Sequence, residues 1–410
     1  MSKILIIGTV WPEPNSTAAG NRMLQIIEQF QINNFEIVFA STAAIGDFSF
    51  DLKSLNILMV PITLNSSSFD DFIIELNPEI VVFDRFMIEE QFGWRVVEHL
   101  PNCLRILDTE DLHFVRNTRF ENFKLNKSTI DSDYLKSDLA KREIAAIYRC
   151  DISLIISEVE MQILTDVFKI DASILHYFPF LLDEIQENEF DNFPSFVERQ
   201  NFISIGNFRH EPNWNAVLYL KESIWPLIKK QLPNAQLHIY GSYVTEKAMN
   251  LHNEKDGFLI KGRAENAIEV IKNSKVLLAP IRFGAGIKGK LTDAMLSGTP
   301  SVTTAIGAES MHGYLPWNGK IEDNPIDFAN AVVALYSNEL DWYLAQKNGA
   351  TIVNTRFNKK FYGQLFIDKI IEVKNNLENH RANNFIGQML QIQTLKSTKY
   401  LSKWIEEKNR

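Results

Sequence analysis

Positive charge is in short supply along this chain. Acids outnumber bases to a net charge of −9 over 410 residues, which argues against general affinity for nucleic acid or an anionic membrane, though not against a local basic patch. Cysteine is scarcer still. Cys103 and Cys150 are the only two; they form no spaced framework, so a reducing cytoplasm is the natural compartment. No apolar run is long enough to span a bilayer. Lys3-Ile4-Leu5-Ile6-Ile7-Gly8 is too short for a signal peptide and ends at a glycine. Repeats and low-complexity segments are missing. So is a Gly-x-Gly-x-x-Gly fingerprint after the first apolar run, which speaks against a dinucleotide site. What is left is an ordinary globular composition, long for one core and comfortable for two domains.

One stretch organises the rest. Val276-Leu277-Leu278-Ala279 is apolar without alternation and reads as a short buried strand. A glycine-crowded loop, Pro280 to Gly289, follows. Leu291, Ala294, Met295 and Leu296 give a helix its apolar face; Gly298 ends it and Pro300 prevents its continuation. Ser301-Val302-Thr303-Thr304 begins the next strand. Unpaired N–H groups at the helix start favour an anion. Lys288 and Lys290 add two positive charges, while Gly284, Gly286 and Gly289 let a ligand approach the backbone. Asp293, one turn on, is a fixed acceptor suited to a sugar hydroxyl. Phosphates next to a ribose satisfy all of these features together; a plain tight turn with solvated lysines is the simpler alternative.

The first half begins as a doubly wound fold should. Ile4–Ile7 is a strand, Gly8 to Gly20 a long small-residue loop, and Met23, Ile26, Ile27 and Phe30 mark a helix face. Strands are expected at 37–40, 57–61, 80–83 and 104–107, with helices at 69–76 and 89–99. Asp108, Glu110, Asp111 and His113 then crowd the C-terminal end of the fifth strand, where such sheets place their sites. The alternative is a helix cap at Asp108 or Asp111 with solvated charges. Ser157-Glu158-Val159-Glu160 reads as a capping box, an architectural feature without chemistry.

The run from Pro280 to Met311, including Thr304-Ala305-Ile306-Gly307-Ala308-Glu309, resembles the donor-binding segment of the retaining glycosyltransferases of family 4. Gly286 to Lys290 resembles the branch of that family with Gly-x-(Lys/Arg)-x-Lys. The resemblance implies an α/β protein of GT-B architecture, with two Rossmann-like doubly wound domains facing an interdomain cleft. Residues 1–183 would form the acceptor-side domain, 184–200 a linker and 201–355 the nucleotide-sugar-binding domain. Residues 356–410 would be a return helix, its apolar face carrying Phe361, Leu365, Ile367, Ile370 and Ile371, plus a helical tail. The donor would be held by Gly284, Gly286, Ile287, Lys288 and Lys290, with Asp293 on its ribose. Ala285 stands where the first of the family's two spaced carboxylates usually sits. Asn207 and Asn213 occupy positions that are usually basic, so Arg209 between them takes the diphosphate clamp; its other reading is a surface pair with Glu211. Asp111 and His113 correspond to the cluster near donor sugar and acceptor, and Ala19-Gly20 to a glycine pair in a loop over the cleft.

The function so implied is transfer of a sugar from a nucleotide-sugar to an acceptor hydroxyl in bacterial surface glycan or glycoconjugate synthesis, without metal or other cofactor. The acceptor would be a lipid-linked glycan, a polysaccharide or a protein, and nucleic acid is not an expected partner. Two rivals stand beside this: a nucleotide-sugar epimerase of the same fold, and a non-catalytic partner subunit, which Ala285 motivates. In the tail, Phe385, Ile386, Met389, Leu390 and Gln393 fit a helix, with Lys396, Lys399, Lys403 and Trp404 beyond. It suits docking on its own domain, a homodimer contact, or a peripheral position on the inner membrane face.

Overall fold

The computed structural model describes residues 2–392 and 394–408. It contains two parallel sheets. The first runs β1 (Lys3–Gly8), β2 (Glu36–Ser41), β3 (Leu58–Pro61), β4 (Ile80–Asp84), β5 (Leu104–Asp108), β6 (Ile152–Ile155) and β7 (Leu175–Tyr177), in the spatial order β3-β2-β1-β4-β5-β6-β7. The second runs β8 (Gln200–Ile205), β9 (Leu237–Tyr240), β10 (Phe258–Gly262), β11 (Ser274–Ala279), β12 (Ser301–Thr303) and β13 (Gly319–Ile321), in the order β10-β9-β8-β11-β12-β13. Helices cover both faces, which is why Ile4–Ile7 and Ile80–Phe83 are apolar at every position and fully buried. The seventh strand of the first sheet, β7, is only three residues long and escaped the sequence reading.

Strand order reverses between β1 and β4 in one sheet and between β8 and β11 in the other. A doubly wound sheet binds ligands outside the strand ends at such a point. The loops after these four strands, and after β5 beside β4, carry the residues discussed below.

The chain then returns. Leu182 bridges to Asn358, and the helix Lys359–Asn375 lays Phe366, Ile367, Ile370 and Val373 into the first core beside Ile26 and Phe178. That buried face is rotated from the expected one: Phe361, Leu365 and Ile371 are exposed, because residues 366, 370 and 373 fall on one side at helical spacing. Burying such side chains stabilises by about 1.5–3 kcal/mol each. Between the sheets, 184–200 is tied down rather than loose. Arg199 is 1% exposed, with Nη1 donating to Thr299 Oγ1 at 2.5 Å and Nη2 to the Ser297 carbonyl at 3.0 Å.

The tail is held to the first domain by side chains that bind a buried carboxylate and backbone carbonyls. Arg381 Nε donates to Asp151 Oδ1 (2.7 Å) and Nη2 to the Cys103 carbonyl (2.7 Å), and Asn384 Nδ2 donates to the Tyr148 carbonyl (2.8 Å). Helices Phe385–Gln391 and Thr394–Lys408 follow. Gln393 lies outside the described residues, as do the side chains of Lys396, Lys399 and Lys403. No helix among the described residues is long and apolar enough to cross a membrane.

Candidate functional site

A cavity of about 740 Å³ lies between the two domains, within the size range of small-molecule sites. Its second-domain wall is the loop after β11 and the helix Gly289–Leu296 that the loop feeds. Gly284 and Gly286 have φ of +155° and +63°, the second a value only glycine adopts without strain. No side chain caps the helix, so its first N–H groups remain available to a ligand. Lys288 Nζ donates to the Gly286 carbonyl (3.0 Å) and Lys290 Nζ to Asn213 Oδ1 (2.9 Å). Loss of water around both ammonium groups lowers each to about 8, against the opposing pull of Glu309 on Lys288 and Asp293 on Lys290. Burial likewise raises the Asp293 carboxyl to about 7, with Lys290 pulling it down. Gly284, Gly286, Ile287, Lys288, Lys290 and Asp293 all line this one cavity.

The facing wall is built at the ends of β4 and β5. Asp111 and His113 both line it. Burial would push the Asp111 carboxyl up, but Arg116, His113 and His210 together hold it at about 2; Arg116 Nη1 is bonded to its carboxylate oxygens. His113 opens the helix His113–Lys124, with its Nδ1 3.1 Å from the Asp111 carbonyl and its ring edge-on to Phe86. Neither Asp108 nor Asp111 caps that helix. The capping carboxylate is Glu143, fully buried, whose two oxygens accept from the N–H groups of His113 (3.1 Å) and Phe114 (3.0 Å). Asp108 is instead paired with the buried Arg22 at 2.9 Å. Burial, then Asp108, raises the Glu110 carboxyl to about 8.

Contacts across the cleft fall on the glycine loop itself. Arg119 Nη1 donates to Glu309 Oε2 (2.7 Å) and to the Gly284 carbonyl (2.8 Å), while Nη2 donates to Glu309 Oε1 (3.0 Å). Phe283 sits between Phe120 and Phe123, with ring centroids 4.8 and 4.9 Å away. Glu160 bridges the domains: its Oε1 accepts from the N–H of Leu112 (2.9 Å) and of Gly286 (3.0 Å). Ser157 does cap its helix by accepting from Glu160 N (3.2 Å). The carboxyl of Glu160 leaves that local motif for the other domain, so the architectural reading of Glu160 was incomplete.

Two expected placements differ. Arg209 is exposed, with its guanidinium 4.0 Å above the Tyr243 ring, and it is not among the residues lining the cavity. Stacking and solvation hold it outside the crevice, and Arg263 is the arginine that the second domain contributes to the wall. Ala19 and Gly20 lie in a helix rather than a loop, because Thr17 caps Ala18–Ile32 by accepting from Gly20 N at 3.0 Å. Ala19 lines the cavity; Gly20 is pressed against the backbone of Glu13, where a Cβ would come within 2.4 Å of its carbonyl carbon.

Residues 199–338 match the family model described as glycosyl transferases group 1. No curated protein sequence matches the chain. The fold is similar to that of sucrose-phosphate synthase from Thermosynechococcus elongatus, with a TM-score of 0.66 at 12% identity over 91% of this chain and 99% of that one. It is similar to a glycosyltransferase from Rickettsia africae, with a TM-score of 0.63 at 13% identity over 92% of this chain and 98% of that one. It is also similar to Anabaena HepE in complex with UDP and glucose, with a TM-score of 0.64 at 11% identity over 91% of this chain and all of that one (100%). At such identities the likeness is one of fold: two Rossmann-like parallel-sheet domains in the GT-B arrangement.

Proposed function

We propose that this chain is a cytoplasmic glycosyltransferase of family 4 that moves a sugar, with retention, from a nucleotide-sugar to an acceptor hydroxyl in surface glycan or glycoconjugate synthesis. One observation carries the reading. An uncapped helix start, Lys288, Lys290 and Asp293 share one wall of the interdomain cavity with Gly284 and Gly286, inside the segment that matches the group 1 family. A diphosphate would lie against the helix N–H groups and the two ammonium groups, and the ribose against Asp293. Charge that grows on the leaving diphosphate then meets donors already in place, which lowers the barrier without reorganisation. The reading needs no metal ion for that task. Asp111 and His113 would face the sugar and acceptor from the other domain.

The structural neighbour from Anabaena was solved with UDP, which makes UDP the first probe. Lys290→Ala should weaken UDP binding, measured by calorimetry, by about 1.5–3 kcal/mol, or roughly 10- to 150-fold, the value of a bond to a charged group. Unchanged affinity in both Lys290→Ala and Lys288→Ala would remove the diphosphate from this wall. An equal loss in Arg209→Ala would mean that the loop after β8 swings onto the ligand.

His113→Ala should lower turnover at saturating donor by roughly 10²-fold or more, as expected for a group acting on developing charge. UDP affinity should hardly change, because the diphosphate is held by the other domain. Normal turnover with a lowered unfolding midpoint would assign His113 to packing against Phe86 alone. Incubation with donor and no acceptor separates transfer from epimerisation, which would yield a new sugar epimer. Absence of binding to any nucleotide would favour the non-catalytic partner that Ala285 suggests.

A further inference from the structure

Two charged residues on the first-domain wall have no part in the donor reading above. Asp84 and Asp108 end β4 and β5 and are register partners; Arg85 and Glu110 stand just beyond them, and both line the cavity. Both have left-handed backbone, with φ of +72° and +61°, a conformation that costs a residue with a side chain and gathers at ligand sites. The turn is pinned by Arg85 N–H donating to the Asp108 carbonyl at 2.8 Å. Behind it the support is fixed: Asp84 Oδ2 accepts from Thr9 N (2.9 Å), and Asp108 Oδ1 from Arg22 Nε (2.9 Å).

The side chains themselves are undersupplied with partners. Among the described residues Arg85 makes one long ion pair, Nη1 to Asp84 Oδ2 at 3.4 Å. Glu110 is 9% exposed and its Oε1 has no hydrogen-bond partner among the described residues. A buried carboxyl without partners is unfavourable, and the open side of this pair is the cavity. The local charge selects the ligand. Arg22, Arg85 and Arg116 are paired with Asp108, Asp84 and Asp111 in turn, so no surplus positive charge awaits an anion. A planar fork of donors beside an acceptor suits neighbouring hydroxyls, since each hydroxyl both donates and accepts.

We propose that Arg85 and Glu110 form the acceptor subsite, holding two hydroxyls of a neutral sugar ring on the side of the cavity opposite the nucleotide. The proposal rests on the glycosyl-transfer reading above. It is tested by saturation-transfer NMR on the full chain with a panel of methyl hexopyranosides, with and without UDP. Wild type should bind at least one glycoside. Glu110→Ala and Arg85→Ala should each weaken that binding at least tenfold, with UDP affinity within about twofold of wild type as evidence of an intact fold. Should either variant misfold, Arg85→Lys, which loses the fork, and Glu110→Gln, which keeps an accepting oxygen, take its place. The lysine variant should still bind weakly, and the glutamine variant should bind better than alanine. The proposal is overturned if wild type binds no glycoside in the panel, or if the variants bind as well as wild type. Failure of UDP to bind would instead strike the donor reading, and the arm without UDP would still decide the subsite.

Discussion

Gly286→Ala should lower turnover about 100-fold, the scale expected when reacting groups are misplaced by roughly an ångström. The added methyl would stand 2.8 Å from Asp111 Cβ and 3.4 Å from Ile156 Cγ2, both in the other domain. Asp111 cannot retreat freely, because its carboxylate is tied to Arg116. The backbone adds its own objection: φ is +63°, which costs a residue bearing a Cβ about 1–2 kcal/mol. Either response, a shifted loop or a wedged-open cleft, separates the lysines from His113. The second sheet has no part in the clash, so it should remain folded and UDP affinity should fall far less than turnover. Turnover, UDP affinity and the unfolding midpoint are the measurements. Wild-type turnover in this variant would mean that the contact between Gly286 and Asp111 is not part of the working state.

The glycine loop was legible because its signals are local. Strand, glycines, helix face and stop residues lie within about two dozen consecutive positions, and the cluster from Asp108 to His113 sits at a strand end for the same reason. What escaped depends on partners far along the chain. Glu160 meets Gly286 across 126 positions, and Arg119 meets Glu309 across 190. Nothing in Ser157-x-x-Glu160 distinguishes a carboxyl that folds back on its own helix from one that reaches another domain. Glu143 capping the helix at His113 is the same case, since nearby Asp108 and Asp111 look like the better caps until Arg22 and Arg116 claim them. Arg209 shows the converse case. A place after β8 suits a clamp, but the guanidinium lies over the Tyr243 ring and outside the residues that line the cavity.

Glu160 should separate structure from charge when it is replaced in two ways. It is 1% exposed, and burial, then Asp111, raises its carboxyl to about 8 from an ordinary value of 4.5. Near pH 7 the neutral form is therefore favoured, with Oε1 accepting both N–H groups and the proton on Oε2, which has no partner among the described residues. Glutamine reproduces that arrangement, carbonyl for Oε1 and amide for Oε2. Alanine leaves the N–H groups of Leu112 and Gly286 buried and unpaired, at about 1–3 kcal/mol for each. Glu160→Ala should thus lose stability and at least tenfold in turnover, while Glu160→Gln keeps turnover near wild type and loses no stability at pH 7. The pH dependence supplies the sign. Between pH 4.5 and 8 the folded chain keeps the Glu160 proton and the unfolded chain has released it, so this group's contribution falls as pH rises. Glutamine cannot titrate. The unfolding midpoint of Glu160→Gln relative to wild type should therefore climb from pH 5 to pH 8. A relative midpoint that is flat or falls over that range would show that Glu160 is ionised in the folded protein and bridges the domains as a carboxylate.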